Sequence, residues 1–138
     1  MSRARTLLVS TLALGLSLLS TGCTPALEAL TVKELTSPPG TANVGNARMQ
    51  LTEGTGVGLK ILAFTKDPSV RDSNGDLPDP VDPSHVKVTS DNESIAKVFH
   101  VEGGIYIVTA TGPGNVNLIV NSTDTNGFIQ YGVQVVAQ

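Results

Sequence analysis

A chain of 138 residues, 40% hydrophobic and 15% charged with a formal net charge of -3, has room for one ordinary globular domain. No basic patch is available to neutralise phosphates, which excludes nucleic acid as a partner. The single cysteine excludes a disulfide-stapled scaffold and a thiolate metal site.

The first element is a targeting segment. Arg3 and Arg5 supply a short positive region, residues 7–19 form an apolar run broken only by Ser, Thr and Gly, and Ser20, Thr21 and Gly22 are small. The run is short of the about 20 apolar residues that cross a bilayer. "LSTGC", residues 19–23, resembles the lipobox of bacterial lipoproteins, with Ser20 where that family prefers leucine. The resemblance implies cleavage before Cys23, a diacylglycerol on its sulfur and acylation of its amine. Each buried methylene contributes about 0.8 kcal/mol, so two or three acyl chains hold a protein to a membrane where one does not. Thr24 in place of aspartate after the cysteine implies sorting to the outer membrane in a Gram-negative host. The expected organisation is a signal peptide over 1–22, a lipidated cysteine with a short tether over 23–29, and one domain over 30–138.

In chain order the rest reads as strands. Residues 30–36 ("LTVKELT"), 47–52 ("ARMQLT"), 58–65 ("GLKILAFT"), 85–90 ("HVKVTS") and 94–101 ("SIAKVFHV") make plausible short strands, and 105–111 ("IYIVTAT") is rich in β-branched residues. Two later windows alternate strictly. In residues 114–122, Val116, Leu118 and Val120 share one face and Asn115, Asn117 and Asn121 the other. In residues 128–138, Ile129, Tyr131, Val133 and Val135 oppose Gln130, Gln134 and Gln138. Asn126-Gly127 between these windows is a hairpin signal. Gly103, Gly104, Gly112 and Gly114 are expected at positive φ where strands reverse. No window combines helical periodicity with caps, and the spacing of strands and turns predicts an all-β sandwich.

The run from 86 to 120 then resembles the bacterial immunoglobulin-like domains of group 2. Ser90, Asn92, Ser94, Ile95, Ala96 and Val98 stand in that family's Ser-Asn-Ser-hydrophobic-Ala-Val positions, followed by a Gly103-Gly104 turn and an alternating strand from Gly112 and Gly114 through Val120. The resemblance covers about residues 86–136 and implies an immunoglobulin-like β-sandwich of about seven strands. The short side chains of Asp91, Asn92 and Ser94 suit a turn held by side-chain-to-backbone bonds.

Residues 66–83 ("KDPSVRDSNGDLPDPVDP") carry five aspartates. Asp72, Asn74 and Asp76, at alternate positions around Gly75, resemble the opening of a calcium loop, and they are the ligands expected if a cation binds. The twelfth position of an EF-hand loop would fall on Pro83, so the full motif fails. With Asp67, Asp79 and Asp82 the segment is the expected contact loop of the domain. A turn-forming, solvated loop explains the same residues without metal. His85 and His100 fall on separate predicted strands, and no hydrolase, metalloprotease or phosphate-loop motif accompanies them. "NES" and "NST" match a glycosylation sequon that a bacterium would not read.

The expected function is therefore non-catalytic, with no cofactor unless calcium binds. It is a lipid-anchored module of the cell envelope serving recognition, adhesion or structure, with the membrane, an envelope protein or a surface glycan as partner. The alternative is an accessory lipoprotein of a secretion or envelope assembly complex, which an apolar patch or open hydrophobic edge strand would favour.

Overall fold

A computed structural model describes residues 23–138, and the expected signal segment, 1–22, lies outside them. The described residues form nine strands: β1 (Ala29–Thr36), β2 (Ala42–Val44), β3 (Arg48–Thr52), β4 (Gly56–Phe64), β5 (Val86–Ser90), β6 (Ala96–Glu102), β7 (Ile105–Ala110), β8 (Gly114–Ser122) and β9 (Phe128–Val136). They build a four-stranded sheet, β1-β4-β7-β6, and a five-stranded sheet, β2-β3-β9-β8-β5. Leaving β2 and β3 aside, the seven remaining strands follow the chain order and sheet partition of an immunoglobulin constant-type sandwich.

The two additional strands have a local cause. Pro38 and Pro39 follow β1, and a residue without an N–H cannot extend a ladder. The chain leaves the first sheet there, turns at Gly40 with φ +73, and re-enters on the opposite sheet. There β3 runs parallel to β9, from Arg48 beside Gly132 to Thr52 beside Val136.

Period-two alternation sends one side of each sheet inward. Val57, Leu59, Ile61, Tyr106 and Val108 from the smaller sheet meet Met49, Leu51, Leu118, Val120, Tyr131 and Val133 from the larger in one buried cluster. Val116, Leu118, Val120, Tyr131, Val133 and Val135 are buried as their alternation predicts, and Ile129 is half-buried against them. Both buried tyrosines find acceptors: the Tyr131 hydroxyl donates to Gly45 O at 2.6 Å and that of Tyr106 to Val86 O at 3.3 Å. Burial pushes the Tyr131 phenol up to about 12 and that of Tyr106 upward as well.

Two of the four glycines expected at positive φ serve another purpose. Gly103 and Gly114 do adopt positive φ, whereas Gly104 and Gly112 do not. A Cβ at Gly104 would lie 2.9 Å from Ile61 O, and one at Gly112 would lie 2.7 Å from Ser94 O. These positions are glycine because another backbone passes too close for a side chain.

Candidate functional site

The end of the sandwich that carries Cys23 also carries the β8–β9 loop and His85. Cys23 is exposed. Immediately after it the chain is held by one residue of the β8–β9 loop. Asn126 donates its Nδ2–H to Thr24 O at 3.2 Å and its backbone N–H to Pro25 O at 2.9 Å, and it accepts from Leu27 N at 3.0 Å. Leu27 is buried, and Glu28 N–H donates to Phe64 O. The stretch expected as a tether, 23–29, is thus bonded to the body from Thr24 onward. The Asn126 side chain donates across a separation of 102 residues, which no local pattern signals.

Beside this clamp, His85 Nδ1 and Asp124 Oδ2 lie 2.6 Å apart. His85 sits not on a strand but in a 3-10 turn, Pro83–His85, because Asp82 caps that turn and Pro83 opens it. The hydrogen bond that His85 donates to Asp124 and then the charge of Asp124 raise the imidazole above its ordinary value, with Asp82 adding a smaller push. An imidazole oriented by a carboxylate is half of a nucleophile-activating arrangement. Ser84 Oγ donates to Asp82 Oδ1 at 2.7 Å and Ser122 Oγ accepts from Asp124 N at 3.1 Å, while the Thr125 hydroxyl, next to Asp124 in the chain, is buried without a hydrogen-bond partner among the described residues. Both His85 and Asp124 are about half exposed. What the pair can do is fasten the start of β5 to the β8–β9 loop. His100 lies on β6 as expected, its ring 5.0 Å from that of Tyr106 and its Nε2 2.8 Å from Gly103 O.

The acidic segment connects β4 to the 3-10 turn and spends three of its five carboxylates on its own residues. Asp72 Oδ1 accepts from Asn74 N at 2.8 Å and Asp76 N at 2.9 Å, and Asp72 N–H donates to Asp76 O. Gly75 supplies positive φ at the turn, and Arg71 Nη1 closes it by donating to Gly75 O. The bonds from Asp76 and then Asn74 hold the Asp72 carboxyl below its ordinary value. Asp67 and Asp82 repeat one device: in each Asp-Pro-Ser the carboxylate accepts from both the N–H and the Oγ of the serine two residues on. Those two serines lower their aspartates in turn. Asn92 and Ser94 make the same pair of bonds, as expected of that turn. Asp79 lies exposed between the Asp76 and Asp82 turns. Among the described residues no group of three His, Cys, Asp or Glu is placed to share a metal ion.

One feature legible only in the structure is an apolar patch. Phe99 on β6 faces Ile107 on β7, with Val101 beyond, on the outer side of the smaller sheet. Their exposures are 51%, 41% and 53%. β6 is also an edge strand of its sheet.

No protein-family model matches the chain, and no curated protein matches it. Among solved structures it is similar to the S-layer protein SbsC. The crystal structure of domains 4 and 5 is 21% identical with a TM-score of 0.49, over 82% of this chain and 54% of that one. The structure of domains 5-6 is 19% identical with a TM-score of 0.47, over 81% of this chain and 45% of that one. This chain spans about half the length of each.

Proposed function

We propose that this protein is a non-catalytic immunoglobulin-like module held against a bacterial envelope membrane by lipid on Cys23, where it serves recognition or structure. The observation that carries the reading is the Asn126 clamp. The lipobox-like "LSTGC" ends at Cys23, and Asn126 grips the backbone from the very next residue. A lipid on that sulfur therefore has no slack, and the body is held in contact with the bilayer surface instead of being carried out on a stalk. In a host with two membranes, Thr24 after the cysteine favours the outer one.

Fractionation with mass spectrometry tests the anchor. The wild-type protein is expected in the membrane fraction with diacylglycerol on residue 23, and Cys23→Ala in the soluble fraction. A wild-type chain recovered soluble, with a bare thiol, would overturn the reading.

The exposed patch of Phe99, Val101 and Ile107 on edge strand β6 favours a second role for the same anchored body, as accessory subunit of an envelope assembly. Crosslinking in native cells distinguishes the two, since an accessory subunit yields a defined protein adduct through β6.

A further inference from the structure

The outer side of the five-stranded sheet is polar and organised in register. Asn43 on β2 is paired with Gln50 on β3, Gln50 with Gln134 on β9, and Gln134 with Asn115 on β8. Neighbouring strands are about 4.8 Å apart, so these four carboxamides form a row across the sheet roughly 14 Å long. The next row on the same face is Arg48, Gly132 and Asn117. Gly132 has no side chain, and the surface dips there. Two adjoining depressions of about 230 and 350 Å³ share Arg48, Met49 and Gln134 in their walls.

The polar groups of this face are largely unspent. Among the described residues Arg48 has no carboxylate partner, the one ion pair being that of His85 with Asp124. Asp91 is turned onto Asn117, with Oδ1 accepting from its N–H at 3.0 Å and Oδ2 from its Nδ2 at 3.4 Å. Arg48, Gln50, Asn43, Asn115 and Gln134 are all exposed.

We propose that this face binds a glycan carrying a carboxylate. A carboxamide offers a donor and an acceptor, which pairs with sugar hydroxyls that do both, and a guanidinium matches a carboxylate through two parallel bonds. The alternatives fit less well. A nucleic acid needs several cations along its phosphates, and these two rows have one. An added peptide strand needs an open backbone edge, whereas β3, β9 and β8 are each paired on both sides. A lipid or an amphipathic helix needs apolar area, and the exposed side chains of these two rows are amides and one guanidinium, with the exposed Phe128 at the other end of β9.

The site lies toward the far end of β9 from the clamp, with Gln134 about 20 Å along the strand from Phe128. It extends the recognition role by naming a ligand class. Binding measured on solubilised protein does not depend on whether Cys23 carries lipid, so either idea can fail alone.

The test uses the purified full chain in detergent on an array of galacturonate, glucuronate and mannuronate oligosaccharides beside their neutral hexose counterparts. At least one uronate series is expected to retain the protein about tenfold or more better than its neutral counterpart, and Arg48→Gln is expected to lose that margin, as befits a charge-assisted bond. Gly132→Val raises the floor of the depression and is expected to abolish retention with a melting temperature no lower than that of wild type. Should it unfold, Arg48→Gln still decides. Failure of every uronate to bind, equal binding of neutral sugars, or an Arg48→Gln protein that binds like wild type would overturn the proposal.

Discussion

His85 carries the one ion pair among the described residues, and its energetics have a definite sign. Asp124 stabilises the imidazolium, so the folded pKa lies above the ordinary value of 6.5. A raised folded pKa means that the contribution of the pair is fully present below about pH 6.5 and is lost as pH rises through the folded value. Both partners are substantially exposed and salt screens them, so the effect on total stability is small. The clean readout is therefore the imidazole itself. An NMR titration is expected to place His85 above its ordinary value, and Asp124→Asn is expected to bring it back down toward that value. An unchanged His85 titration in that variant would show that the pair does not form in solution.

Glycines at the element scale divide by what surrounds them. At Gly112, between β7 and β8, a methyl group would meet Ser94 O at 2.7 Å, so Gly112→Ala forces a backbone shift and is expected to cost roughly 1–3 kcal/mol. At Gly132, inside β9, the same methyl group meets only Arg48 Cβ at 3.5 Å, an ordinary contact. Gly132→Ala is expected to stabilise by roughly 0.5–1 kcal/mol, because glycine in a strand interior is entropically unfavourable. Urea denaturation of the two variants checks the contrast, and opposite signs are the expected result. β2 shows what short elements hide: three residues, Ala42–Val44, are too few to display a period, and the strand exists because the Pro38-Pro39-Gly40 corner delivers the chain to the second sheet.

For the whole molecule, stability rests on the interface between the two sheets. Leu118 is fully buried at the centre of β8. Leu118→Ala removes its contacts and leaves a cavity, an expected loss of about 2–5 kcal/mol. That is a large share of the about 5–15 kcal/mol typical of a domain, and a urea midpoint shifted far below wild type is the check. A loss under 1 kcal/mol would mean that the sheets are not packed as described. The open edge at β6, with Phe99 and Val101 exposed, is the complementary liability, a surface that a partner strand can extend.

Alternation, turn residues and side-chain caps act within a few residues, so the sequence by itself determined the strand character of 114–122 and 128–136, the Asn92–Ser94 turn and the inward set of the core. The lipobox-like end at Cys23 is equally local. Tertiary structure alone decided which distant groups meet: Asn126 on the segment after Cys23, Asp124 on His85, and carboxamides from four strands in one row. It also decided that the carboxylates of Asp67, Asp72 and Asp82 bond their own loop. Register between strands is set by the burial of whole faces and the path of the connecting loops, and neither is written in any short window of residues.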